Sequence, residues 1–179
     1  MYFRPVPDGW SIDGVTTAVE DGHTWVVGYA IETDADLMTR RVQVRGRSVA
    51  GTRTLELSHD GQGRWVVDGR PDDRLDGCRD VDLESSAMTN ALPIRRLGLE
   101  VGGRATSPAA YVRAESLAVE RLEQEYMRVV DHESGPQYDY AAPAFHVSCR
   151  LLYDTRGLVA EYPGLAHRMA SAEETVQWS

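Results

Sequence analysis

The chain has 179 residues, 42% hydrophobic and 26% charged, proportions that suit a globular chain able to bury a core. Its net charge of −9 argues against a nucleic-acid partner and against adsorption on anionic membrane surfaces. All 19 basic residues are arginine, which excludes Schiff-base chemistry, a Ser–Lys dyad and a phosphate-loop lysine.

Taken in chain order, residues 1–14 hold Pro5, Pro7, Gly9 and Gly14 and read as an irregular leading segment with Trp10 as an anchor. The opening MYFRPVPDGW lacks the pattern of a signal peptide, and no run approaches the ~18 apolar residues of a spanning helix. A cytoplasmic protein without stable membrane insertion is therefore expected. Thr24–Thr33 alternates Trp25, Val27, Tyr29 and Ile31 with smaller residues, the pattern of a half-buried strand. After a polar turn at 34–36, Arg41–Arg47 alternates again, with Val42 and Val44 inward and Arg41, Gln43, Arg45 and Arg47 outward. Thr52–Ser58 turns through His59-Asp60-Gly61-Gln62-Gly63 into Trp65–Asp68, a hairpin signal because Asp-Gly suits positive φ. That loop lacks the helix start a phosphate cradle requires, and Gly69–Asp76 reads as a charged connection.

The densest stretch is 75–101, LDGCRDVDLESSAMTNALPIRRLGLEV. With Asp80–Glu84 as a strand, Asp80, Asp82 and Glu84 share one face and Val81 and Leu83 the other. A turn over Ser85–Leu92 then leads to a second strand opened by Pro93, on which Arg96 lies on the acidic side and Arg95 on the apolar side. A guanidinium on an apolar face needs a carboxylate or a ligand anion, so Arg95 is the residue whose placement needs explaining. Ala109–Glu115 reads as a strand, residues 117–130 as helix or strand, and 131–137 as a loop. Phe145, Val147, Cys149, Leu151 and Tyr153 mark a buried strand face, turned by Asp154–Gly157 into Leu158–Tyr162; residues 165–179 read as a short helix or a loose tail.

The run DGCRDVDLESSAMTNALPIRRL resembles the signature segment of the bacterial family described as "putative glycolipid-binding protein". Asp60-Gly61-x-Gly63-x-Trp65, Gln124 with Tyr126, Tyr138-Asp139-Tyr140, Asp154-x-x-Gly157-Leu158-Val159 and Tyr162-Pro163-Gly164-Leu165 extend the resemblance in order. It implies strand for 117–130 and one domain over 1–179: a mainly β, antiparallel roll or half-barrel resembling lipoprotein carriers, with few short helices. It also implies a non-catalytic binder of an amphiphile such as a glycolipid.

Amphiphile pockets combine an apolar lining with a few fixed polar groups. Candidate rings are Trp25, Trp65, Tyr126, Tyr138 and Tyr140; candidate anchors are Asp80, Asp82, Asn90, Arg95 and Arg96. A second reading is a carbohydrate-active hydrolase or isomerase using Asp80 and Asp82, whose alternate spacing does not exclude acid–base cleavage but supplies no reason for a raised pKa. A third is a structural or oligomerising domain, with a homodimer left open. The five histidines form no HxxxH or HExxH pair, and Cys78 and Cys149 form no CxxC, so neither a metal nor another cofactor is expected.

Overall fold

The computed structural model describes residues 1–20 and 22–170. The chain begins with a seven-stranded antiparallel meander: β1 (Tyr2–Val6), β2 (Gly9–Glu20), β3 (His23–Asp34), β4 (Thr39–Ser48), β5 (Gly51–His59), β6 (Trp65–Val67) and β7 (Arg70–Pro71), paired in sequence order. The period-two alternation of β3 and β4 is realised: Trp25, Val27, Tyr29, Ile31, Val42 and Val44 are buried, and Arg41, Gln43, Arg45 and Arg47 are exposed. The expectation of an irregular start over residues 1–14 is corrected. Tyr2–Val6 pairs with Gly9–Asp13, and Pro5 is accommodated because β1 is an edge strand. Gly9 is required by close approach, since a Cβ there would lie 2.0 Å from the Thr33 carbonyl oxygen.

The expected hairpin loop at 59–63 forms, with Asp60 Oδ1 accepting from Gln62 N–H (2.7 Å) and Arg64 N–H (3.1 Å). A charged connection carrying a 3-10 turn at Asp73–Leu75 leads to β8 (Asp80–Leu83). β8 pairs in parallel with β10 (Ala109–Val112), which pairs antiparallel with β11 (Val119–Leu122). This short sheet is tied to the meander by Thr39, whose N–H donates to the Arg79 carbonyl (3.1 Å) and whose hydroxyl accepts from Val81 N–H (3.1 Å).

The final sheet has the order β16 (Ala166–His167), β15 (Val159–Tyr162), β14 (Val147–Tyr153), β13 (Gln137–Ala142), β12 (Glu125–Arg128) and β9 (Arg104–Thr106). Residues 117–130 thus carry two strands, β11 and β12, separated at 123–124, and no helix. Phe145 belongs to a 3-10 turn, Pro143–Phe145, and the strand begins at Val147. Residues 166–167 pair as β16, which corrects the expected helix or tail there; residues 171–179 of that expectation lie outside the described residues.

The strand expected after Pro93 is a helix, α1 (Ala91–Leu97), entered from a 3-10 turn over Ala87–Asn90 and closed by Gly98 at φ 53. Pro93 sits in the first turn, where its missing N–H would have had no helical partner.

Alternate residues of the short sheet feed two cores. Val81, Leu83, Ala110 and Val112 join Ile12, Ile31, Leu57, Trp65 and other residues beneath the meander. Tyr111 and Leu122 join Tyr126, Tyr138, Tyr140, Tyr153 and Tyr162 beneath the last sheet. Among the described residues the architecture is mainly β and antiparallel apart from the β8–β10 pair, with one short α-helix and no closed barrel.

Candidate functional site

The acidic face of β8 points into the second core. Asp80 and Asp82 are 2% and 7% exposed, so the row is internal rather than a solvated face. Burial pushes the Asp82 carboxyl up to about 6, and the nearby Asp80 and Glu84 charges add to that push; bonds from Thr89 and Gln124 only partly offset it. Thr89 Oγ1 donates to Asp82 Oδ1 at 2.6 Å and accepts from Leu83 N–H at 3.2 Å. Gln124 Nε2 donates to Asp82 Oδ2 at 2.6 Å and to the Tyr140 hydroxyl oxygen at 2.9 Å. The Tyr126 hydroxyl donates to Asn90 Oδ1 (3.1 Å), and Tyr153 donates to the Asn90 carbonyl (3.2 Å). A buried carboxylate, two amides and a tyrosine shell thus form one network joining β8, the 87–90 turn and the last sheet.

Asp80 pairs with Arg96 and accepts from the Ser107 hydroxyl at 3.1 Å. Burial raises its carboxyl, with Arg96 and Ser107 opposing. Both partners are deep, the side chains being 10% and 2% exposed for Arg96 and Asp80. Arg96 therefore neutralises the acidic row as expected, although from a helix. Successive helical residues point about 100° apart, which sends Arg95 elsewhere: its Nη1 donates to the Arg156 carbonyl in the turn after β14. Glu84 leaves the core and accepts from Ala114 N–H (2.7 Å) and Arg113 (3.1 Å).

The other ring candidates are buried in the two cores. Trp25 and Trp65 are 5% and 1% exposed and belong to the first core, on the other side of β8 from Asp80 and Asp82. Their indole N–H groups donate to Glu20 (3.1 Å) and to the Cys78 carbonyl (2.9 Å). Tyr138 stands edge-on to Tyr153, with ring centroids 5.4 Å apart. The structure brings Asp80, Asp82, Asn90, Arg96, Tyr126 and Tyr140 together. The residues not singled out as ligand candidates are Gln124, Ser107 and Thr89. Gln124 could have been found as a lone amide on the inward row Leu122, Gln124, Tyr126; Ser107 and Thr89 carry no such signal.

Open space lies elsewhere. A cleft of about 530 Å³ separates β1–β3 from the last strands, with Phe3, Val15, Met88, Leu158 and Val159 among its lining. The Tyr29 and Ser86 hydroxyls, 2.9 Å apart, also line it. Arg156, His167 and Arg168 complete one side. Asp154 holds that side together: it pairs with Arg168 at 2.6 Å and with Arg156 at 3.4 Å. Burial pushes the Asp154 carboxyl up, but Arg168 and the Leu158 and Arg156 N–H groups outweigh it and hold it below its ordinary value. A second cleft, about 500 Å³, is lined by Arg79, Arg95 and Arg96 facing residues 35–38. Neither Asp80 nor Asp82 lines these clefts.

Cys78 and Cys149 are free thiols, one in each core. Among the described residues no group of three or more His, Cys, Asp or Glu side chains is placed to hold a metal, and no helix is long and apolar enough to cross a membrane.

Fold and site define a mainly β protein whose central acidic strand is locked inside by arginine, amide and tyrosine partners. Residues 1–168 match the model of the family described as "Putative glycolipid-binding", and the chain belongs to that family. It is similar to the crystal structure of a DUF1089 family protein from Pseudomonas aeruginosa, with 34% identity and a TM-score of 0.80 over 94% of this chain and 90% of that one. No curated protein matches it in sequence.

Proposed function

We propose that the protein is a non-catalytic binder of an amphiphile with a sugar-bearing head, a glycolipid in the sense of its family's description, acting in the cytoplasm. The observation that carries this reading is the 530 Å³ cleft between the first and last sheets. Its size falls within the range of small-molecule pockets, roughly 300–1,000 Å³, and its lining is of the mixed kind such ligands use. The apolar side chains Phe3, Val15, Leu158 and Val159 receive the chain of the amphiphile; Arg156, His167 and Arg168 stand where its polar head emerges. The carboxylate network, on this reading, holds β8 and the last sheet in the positions that leave the cleft open.

The hydrolase or isomerase alternative draws on one observation, the Asp82 carboxyl raised to about 6. Its weakness is access, because Asp82 is enclosed by Thr89, Gln124 and Asn90.

The test is displacement of a fluorescent apolar probe by octyl glucoside and by glycolipid extracts, read alongside native mass spectrometry of the purified protein. Val15 is 69% exposed, so Val15→Glu leaves the fold intact while placing a charge in the cleft. The expected result is a loss of probe binding by about tenfold or more in Val15→Glu at unchanged melting temperature. Equal binding by the native protein and Val15→Glu would remove the cleft from the account.

A further inference from the structure

The second cleft stands apart from the rest of an acidic protein. Its lining is Ala35, Asp36, Leu37, Met38, Arg79, Arg95 and Arg96, three cationic side chains against one anionic, on a chain whose net charge is −9. The arginines come from two places in the signature segment: Arg79 immediately precedes β8, and Arg95 and Arg96 occupy the last turn of α1. Two of them are fixed from behind. Arg96 is held by Asp80 and Ser107, and Arg95 by the Arg156 carbonyl. Their guanidinium positions are therefore set before any ligand arrives, which reduces the ordering cost of binding.

Arg79 is exposed and makes no ion pair among the described residues. The Arg96 Nε atom is buried without an acceptor. Across the cleft, the 34–38 turn uses its own amides internally: Asp36 N–H and Met38 N–H both donate to Asp34 Oδ1, at 3.0 and 2.9 Å. Anion recognition is thereby left to the guanidinium groups. Asp36, on the same wall, is an acceptor with no ion-pair partner among the described residues, suited to a hydroxyl.

We propose that this cleft binds a phosphate monoester carried on a small polyol or sugar. Guanidinium forks match phosphate oxygens in pairs, and the lining presents three guanidinium groups, one of them (Arg96) already paired with Asp80, against the single carboxylate Asp36. The cleft volume exceeds that of an isolated phosphate, and Asp36 supplies the contact that selects a hydroxyl-bearing ester over inorganic phosphate. Burial lowers the Arg95 pKa, so a second negative charge beside it stabilises its charged form. The site is separate from the apolar cleft, and Val15→Glu leaves it unaffected.

Calorimetric titration of the full chain with glycerol 1-phosphate, inorganic phosphate and glycerol tests the proposal. The expected order is glycerol 1-phosphate tighter than phosphate, with glycerol giving no heat. Arg79→Gln, a surface change that spares the fold, weakens glycerol 1-phosphate binding about tenfold at unchanged melting temperature. Arg95→Gln does the same, and Asp36→Asn removes the preference for the ester over inorganic phosphate. Vesicles of phosphatidylcholine doped with phosphatidic acid separate the two sources of this chemistry. Binding that glycerol 1-phosphate competes away marks a lipid headgroup, whereas binding of the soluble ester alone marks a free metabolite; either supports the site. No binding of glycerol 1-phosphate by the native protein, or equal binding by Arg79→Gln, overturns it.

Discussion

The two cores on either side of the short sheet solve burial differently. Beneath the meander the packing is aliphatic, with Ile12, Val27, Ile31, Leu55 and Leu57 around Trp25 and Trp65. Beneath the last sheet it is tyrosine, with Tyr111, Tyr126, Tyr138, Tyr140, Tyr153 and Tyr162. β8 belongs to both, giving Val81 and Leu83 to one core and Asp80 and Asp82 to the other. A tyrosine offers ring area and a hydroxyl together, so the second core can enclose charged and amide groups that an aliphatic core would leave unsatisfied. Hydrophobic burial accounts for the first core; the second depends also on hydrogen bonds among its polar groups, and in the ion pair the buried atoms left without a partner are Asp80 Oδ1 and Arg96 Nε.

That contrast can be broken most severely at the ion pair. Asp80→Ala leaves the Arg96 guanidinium buried without its carboxylate and is expected to cost about 3–5 kcal/mol in urea denaturation. In the aliphatic core, Leu57→Ala is expected to cost about 2–5 kcal/mol through lost packing and a cavity, by the same amount at every pH.

The pH dependence sharpens the comparison. Asp82 has a folded pKa of about 6 against an ordinary 3.8, so between these values the folded state holds more protons than the unfolded. Its contribution is therefore full below pH ~4 and falls as pH rises to ~6, by up to about 3 kcal/mol. The proton is accommodated locally, because Thr89 Oγ1 also lies 2.8 Å from the Ser86 carbonyl and can donate there while accepting from the acid. His59, on the meander side, acts in the opposite sense. Burial lowers its pKa; Nδ1–H donates to the Thr39 carbonyl (3.0 Å) and Nε2 accepts from Gly63 N–H (3.1 Å), and its contribution is lost as pH falls below 6.5. Asp82→Asn is expected to abolish the Asp82 slope and leave the His59 slope, measured as unfolding free energy at several pH values. The smallest effect is Tyr126→Phe, which removes one buried hydroxyl bond to Asn90 and is expected to cost about 1 kcal/mol in thermal unfolding.

Much of the first core was legible because period-two alternation survives wherever a strand has one wet face, as in β3 and β4. The parity of Asp80 and Asp82 against Val81 and Leu83 was legible too, but not that both faces are buried, since that depends on a sheet formed some forty residues later. The N-terminal hairpin was hidden by Pro5 and Gly9, which mark turns in isolation and here satisfy an edge strand and a tight crossing. α1 spans only seven residues, too few for a helical period to outweigh the proline within it. Of the site, an arginine partner for the acidic row followed from charge, but the strand spacing that selected Arg96 did not survive, because residues 91–97 are helical. The cleft did not, because its walls come from opposite ends of the chain.

On the proposed reading, the acidic signature is an internal strut and the ligand enters between the first and last sheets. Amide chemical-shift mapping with octyl glucoside below its micelle threshold tests it most directly. The expected shifts are at Phe3, Val15, Met88, Leu158 and Val159, with Asp80–Leu83 and Gln124 unmoved. Shifts centred on Asp82 and Gln124, with the cleft residues silent, would contradict it.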